Sequence, residues 1–322
     1  MTLDLGWPAL VAGLLLTLAA LGVVGVVRRR RRDAHDVDVA WRLLEARATS
    51  AGLFDPARLA ALPEPARRYF GFVVAPGTPL ATAVRLTMGG EMMLGDATRP
   101  RNLPMRARQI LAPPHGLVWQ MAAGRGAWRV SGSDALVDGR SWTRFWFSGL
   151  WPVARAGGSA DHARSAFGRM VAEAAIWAPA ALLPGPGVRW EAVDADTVRV
   201  TVVHGVLSQA VDIHVDAEGR PLWVRIERWS DANPQRRYRL QPFGGRLADH
   251  RQVGGWRLPF DVEGGNFFQT PQYVAFYRAR VEAIEFVGPA APAPVSAAGP
   301  DGDAERDAAA HSSASRPNRS VS

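Results

Sequence analysis

The pattern of apolar and polar positions changes character four times along the chain. Trp7 to Val27 ("WPALVAGLLLTLAALGVVGVV") is 21 residues without a charge. At 1.5 Å per residue, that length crosses the roughly 30 Å hydrocarbon core of a bilayer, so the run predicts a membrane-spanning helix. From Asp36 to Ala51 the pattern becomes helical and amphipathic, with Val37, Trp41, Leu44 and Ala48 on one face and Gly52 as a stop. "FDPARLAALPEPARRYFGFVV" then predicts two short helices. Asp55 caps the first with Pro56 at its first position, and Glu64–Pro65 opens the second. Tyr69, Phe70, Phe72 and Val73 pack on whatever follows.

From about Thr82 the spacing shortens to that of strands. Gly89–Gly90 marks a bulge or a close backbone approach. Strand-like runs follow at Met105–Leu111, Leu117–Ala122, Ala127–Ser131, Ala135–Val137 and Ser141–Phe147, the last entered through an Asp138–Gly139 hairpin turn. After a helix from Ser159 to Trp177 come Val188–Val193, Thr197–Val203, Gln209–Val215 and Leu222–Trp229. The last group is Arg236–Leu240, Gly245–Val253, Trp256–Glu263 and Tyr273–Phe286. Hairpin-length links require antiparallel pairing, and roughly a dozen such strands curl into a barrel, a half-barrel or two packed sheets. From Gly288 onward Ala, Pro, Ser and Asp dominate, a composition that cannot bury a core and predicts disorder.

The expected fold class is therefore α+β and β-rich: an N-terminal transmembrane helix, then a strongly curved antiparallel sheet, half-barrel or barrel-like, crossed by one helix. The expected organisation is a membrane anchor and Arg cluster over 1–32, a helical connector over 33–75, a β-domain over 76–287 containing helix 159–177, and a tail over 288–322.

Composition narrows the chemistry. The absence of cysteine excludes disulfides, thiol catalysis, iron–sulfur clusters and Cys-ligated zinc. The net charge is +8 and every basic residue is Arg. Arg28–Arg32 directly follow the apolar run; a cleaved signal peptide would carry its positive charge ahead of the run. The five arginines predict a retained single-pass anchor in the cell membrane, with Arg28–Arg32 at the lipid headgroups and the large domain on the cytoplasmic side. The remaining arginines are scattered and form no recognition motif, which argues against nucleic acid.

No complete catalytic constellation is present: no H-E-x-x-H, G-x-S-x-G or phosphate loop. His204 and His214 sit on adjacent predicted strands, but two histidines without a third ligand predict no metal site. No cofactor is expected. Glu173 is the residue open to two readings. It borders the apolar stripe of Phe167, Met170, Val171, Ala174 and Trp177, with Arg169 four residues before it. It is either a boundary carboxylate paired with Arg169 or a carboxylate pointing into a cavity. "RSWTRFWFSGLW" crowds Trp142, Phe145, Trp146, Phe147 and Trp151 together, as core, as cavity wall, or as a surface resting on lipid. The expected ligand-binding residues are Trp142, Trp146, Met170, Glu173 and Trp177. The late hairpins carry Asp249, Arg251, Trp256 and Glu263; their charges are expected mainly in solvent.

Several stretches together resemble an uncharacterised bacterial family, catalogued as a domain of unknown function. They are Leu62–Pro63, Pro65 and Arg68–Tyr69–Phe70; then Glu173, Trp177, Pro179 and Leu182–Leu183–Pro184 ahead of Val188–Arg189–Trp190; then Asp249, Arg251, Gly255 and Pro259. His250 stands where the resemblance places an aromatic. The resemblance covers about residues 60 to 287. It implies a membrane-attached protein and no assigned reaction. The strand count is also similar to the half-barrels of lipoprotein carriers, which hold acyl chains. Three functions stay open: a non-enzymatic module binding an apolar or acyl-bearing ligand near the bilayer, a partner-binding subunit of a membrane complex, and a hydrolase-like enzyme using Glu173 with Asp249 or a histidine.

Overall fold

The computed structural model describes residues 7–94 and 100–288. The tail expected to be disordered lies, apart from Gly288, outside the described residues. Helix α1 (Trp7–Ala46) is a single 40-residue helix. It runs unbroken through Arg32–Asp33, joining the apolar run to the amphipathic segment. The two halves meet different surroundings. None of the most apolar 18-residue window is buried, whereas Val37, Ala40 and Leu44 are buried on the protein. The stop comes at Ala46, before Gly52, because Ser50–Leu53 forms a short strand, β1, paired with β2 (Pro79–Ala81).

Between them lie a single 3-10 turn at Pro56–Leu59 and α2 (Glu64–Val73). The Asp55 side chain accepts from Ala57 N at 2.9 Å, the cap its sequence implied. Tyr69, Phe70 and Val73 are buried, and the Tyr69 hydroxyl donates to Ala175 O at 2.8 Å.

The remaining strands form one antiparallel sheet of 13 strands. They are β3 (Ala83–Leu94), β4 (Arg101–Ala112), β5 (Gly116–Arg125), β6 (Trp128–Val137), β7 (Arg140–Phe147), β8 (Trp151–Gly157), β9 (Val188–Ala192), β10 (Thr197–His204), β11 (Leu207–Val215), β12 (Pro221–Ser230), β13 (Arg239–Val253), β14 (Trp256–Asn266) and β15 (Val274–Val287). The spatial order is β8-β7-β6-β5-β4-β3-β15-β14-β13-β12-β11-β10-β9. Every neighbour is sequential except β3 and β15, which join two meanders at the centre. Gly90 permits this junction: its φ is +142°, and a Cβ there would meet Arg278 O at 2.1 Å. Asp138 and Gly139 both adopt positive φ, the two-residue hairpin turn their pair predicts.

Helix α3 (Ala160–Trp177) touches β7 and β8 as well as β11 and β12. In a flat sheet β7 and β12 would stand ~40 Å apart, several helix diameters. The sheet therefore wraps around α3. It stays open, with β8 and β9 as free edges. The fold class read from the sequence is the fold observed. The main core fills the inner face, between the sheet, α2 and α3. A second, smaller core lies on the outer face, where α1 packs on β4, β5 and β6 through Val37, Leu44, Ile110 and Val118.

Candidate functional site

Strand alternation sorts the sheet's polar residues between these two faces. On the inner face of β4, Gln109 follows Ala107 and precedes Leu111; on β6, Asp134 precedes Leu136; on β12, Arg228 follows Val224 and Ile226. α3 contributes Arg169 and Glu173, one turn apart. These groups meet in the middle of the wrapped sheet. Arg169 Nε donates to Glu173 Oε1 at 2.6 Å and its Nη1 to Asp134 Oδ2 at 3.1 Å. Gln109 Nε2 donates to Glu173 Oε2 at 2.5 Å. The Arg169 guanidinium also lies over the Trp119 ring at 4.9 Å. Glu173 is thus both things its sequence allowed: an Arg169 partner and an inward-facing carboxylate.

Burial works against the Arg169 charge, but Glu173 and Asp134 outweigh it and hold its pKa above the usual arginine value. Arg228 differs. Burial, with the Arg169 charge nearby, pulls it down to about 10. Among the described residues its one protein hydrogen bond runs from Nε to Ser165 O at 3.3 Å, while the guanidinium lies 4.8 Å over the Phe243 ring. Three further polar atoms here are buried without a protein partner among the described residues: Gln109 Oε1, Trp119 Nε1 and Asp134 Oδ1.

Trp119, Asp134, Arg169, Glu173 and Arg228 of this cluster line a cavity of about 580 Å³. The rest of the wall is apolar, including Met92, Met121, Val130, Phe145, Phe276 and Tyr277. Burial and then Glu173 push the Tyr277 hydroxyl above the usual phenol range, so it is a neutral donor, and it lies 2.8 Å from Met88 Sδ. A volume of this order, mostly apolar with a few convergent polar groups, is that of a small-molecule site.

The five expected ligand-binding residues separate. Glu173 lines the cavity. Met170 and Trp177 are fully buried in the main core, and Trp177 Nε1 donates to Pro259 O at 3.1 Å. Trp142 and Trp146 are not brought to Glu173. On β7 they share parity with Arg144, and that face meets α1. Trp146 Nε1 donates to Asp33 Oδ2 at 2.9 Å, and Trp142 Nε1 to Ser133 Oγ at 3.0 Å. The inward positions of β7 are Ser141 and Thr143, both bonded to His162, and Phe145. A one-residue difference in parity decides the face.

The groups weighed as partners for Glu173 lie elsewhere. Asp249 pairs with Arg251 at 2.5 Å on an exposed hairpin. His204 and His214 sit at opposite ends of the β10–β11 ladder. His214 stacks on Trp223, and His204 meets His115. Asp161 accepts from Trp229 Nε1, and Ser159 caps α3.

A family model described as a family of unknown function, DUF6544, matches residues 52–278. The chain belongs to that family. The match begins after α1 and takes in α2, α3 and every residue that lines the cavity. No curated protein matches. Among solved structures, a LolA-superfamily protein from Nitrosomonas europaea is 10% identical, with a TM-score of 0.37, over 63% of this chain and 86% of that one. A domain described as an outer membrane lipoprotein-sorting protein, from Vibrio parahaemolyticus, is 13% identical, with a TM-score of 0.32, over 63% of this chain and 85% of that one. At such scores neither likeness bears on the site, which rests on the geometry above.

Proposed function

We propose that this DUF6544 protein is a non-enzymatic, membrane-attached module that binds an apolar or acyl-bearing molecule between α3 and the wrapped sheet. The observation that carries the reading is the cavity itself: a mostly apolar wall around about 580 Å³ that Asp134, Arg169, Glu173 and Arg228 also line. The ligand's chain lies along Met92, Met121, Phe145 and Phe276. A carboxylate or phosphate end meets the Arg228 guanidinium, whose charge has no carboxylate bonded to it. Both oxygens of Glu173 are engaged, by Arg169 and Gln109, so it holds the cluster together.

Attachment follows from α1. Trp7–Val27 spans the cell membrane once, Arg28–Arg32 meet anionic headgroups, and the positive-inside tendency places the sheet on the cytoplasmic side.

Native mass spectrometry of the detergent-extracted full chain, followed by lipid extraction, tests the binding reading. A stoichiometric lipid or fatty-acid adduct is expected. A bare mass that stays bare after palmitate is added would contradict it and favour a partner-binding role.

A further inference from the structure

The apolar half of α1 leaves the protein beside the β7–β8 turn. Leu150 and Trp151 share one hollow with Ala19, Val23, Val26 and Val27. The turn is seated by a close approach: a Cβ at Gly149, φ +69°, would fall 2.6 Å from the Arg30 guanidinium. Leu150 is 56% exposed and Trp151 67%. The neighbouring β5–β6 turn carries Trp128, 77% exposed, with its ring 5.8 Å from Phe147. The two turns are tied together. Ser148 N donates to Arg129 O at 2.7 Å, and Ser148 Oγ to Ala127 O. The result is a stapled pair of hairpin tips, apolar and aromatic at the surface, flanked by Arg125 and Arg129, at the same end of the sheet as the apolar span.

From these contacts we infer that the β5–β6 and β7–β8 tips are a second membrane contact that enters the lipid headgroup boundary beside the span. The inference rests on the reading of Trp7–Val27 as membrane-spanning. Residues 19 to 27 occupy the last ~12 Å of such a span by helix rise, so Leu150 and Trp151 stand at the depth where interfacial aromatics and arginines collect. The occupant is the bilayer, because the patch is continuous with a segment that itself has no protein cover.

The geometry has a consequence for the cavity. Val130, Phe145, Val153 and Ala154 line it, and they sit on the strand ends that run into these same tips. The cavity thus lies between α3 and the rim of the sheet that carries these tips.

The chain contains no cysteine, so single substitutions report one position each. Leu15→Cys, Leu150→Cys and Val206→Cys, each in the full chain, are spin-labelled and reconstituted in vesicles of 3:1 phosphatidylcholine and phosphatidylglycerol. Collision with oxygen and with a water-soluble nickel chelate is then measured. Val206, on the β10–β11 turn, is fully exposed and serves as the aqueous reference. The expected result is oxygen-dominated relaxation at 15 and 150, with nickel access at 150 at least fivefold below that at 206. Lipid exposure at 15 with nickel access at 150 equal to that at 206 overturns the hairpin contact alone. Aqueous access at 15 overturns the spanning reading and the hairpin contact with it. Neither readout depends on whether the cavity holds a ligand.

Discussion

Two arginine–carboxylate clusters stand back to back across the β4–β8 part of the sheet, and they differ in satisfaction. On the outer face Asp33 of α1 accepts from Arg155 through both Nη atoms, at 2.7 and 2.9 Å, from Arg144 at 3.3 Å and from Trp146 at 2.9 Å. Burial opposes its charge, but the Arg155 and Trp146 hydrogen bonds outweigh burial and lower its pKa. Every oxygen of this clamp is used, and it fixes α1 to the sheet. On the inner face Asp134, Gln109 and Trp119 each keep an unpaired buried atom, and Arg228 has no carboxylate bonded to it. Buried polar groups in folded proteins are nearly always paired. The saturated cluster reads as structure. Both clusters border hollows, so the difference in satisfaction carries the distinction, and the unsaturated one reads as a binding site.

The largest expected effect comes from breaking the inner cluster at its hub. Arg169→Leu leaves Glu173 and Asp134 buried without their cation. Removing one partner of a buried ion pair costs ~3–5 kcal/mol, which for a chain of this size lowers the thermal midpoint by about 5–10 °C. A thermal scan of the purified full chain checks this, and a shift of only a degree or two would mean that the cluster is solvated.

Next in size is the outer clamp. Asp33→Ala removes charge-assisted hydrogen bonds worth about 2 kcal/mol together, while Arg144 retains Asp36 at 2.6 Å. Stability falls, and palmitate affinity, followed by native mass spectrometry, stays within about twofold of wild type, a change of about 0.4 kcal/mol or less. A loss of ligand with the outer clamp would undo the division of labour between the faces.

Arg228→Met sharpens the comparison in the opposite sense. Replacing a buried, unpartnered charge with an apolar side chain of similar length leaves stability unchanged or raises it by about 1 kcal/mol. Palmitate binding, in contrast, weakens about tenfold or more. A destabilised variant with undiminished affinity would return Arg228 to the structural side.

The smallest effect is one of pH. Burial, with Arg220 nearby, pulls His250 down to about 4, against about 6.5 for an unfolded histidine. The folded state therefore holds fewer protons between these values. The stability tied to neutral His250 is intact above pH ~6.5 and declines as pH falls toward 4. The ring packs edge-on against Phe72 at 5.5 Å. His250→Phe preserves that contact and flattens the fall in thermal midpoint over this window, with no change at pH 8. An identical acid profile in the variant would remove His250 from the account.

Much of the architecture is legible in the sequence because its devices are local. Asp55 with Pro56 starts a turn, Asp138–Gly139 closes a hairpin, and an uncharged stretch of 21 residues needs an apolar surrounding. Where tertiary packing overrides local pattern, the reading falters. Ala127–Ser131 and Ala135–Val137 are one strand, β6. Gly132 interrupts the pattern there because a Cβ would meet Arg144 O at 2.0 Å. β8 escaped notice because an exposed edge strand containing Pro152 needs no apolar alternation. The site was half legible. Glu173 stands out as a charge in an apolar run, whereas Gln109, Asp134 and Arg228 carry no such local mark. One signal could have found them: each occupies the core parity of its strand, between buried apolar neighbours. Trp142 and Trp146 drew attention by size, yet parity aims them at α1.

The most direct test of the central claim is to map where a bilayer-borne acyl chain reaches the protein. The full chain is reconstituted in vesicles containing a diazirine-labelled palmitate, irradiated and digested, and the modified peptides are identified by mass spectrometry. The account predicts labelling of Met121, Phe145 and Phe276 on the inner face, lost in the Arg228→Met variant and kept in Asp33→Ala. Labelling confined to Trp7–Val27, with the inner face unmodified, would contradict it.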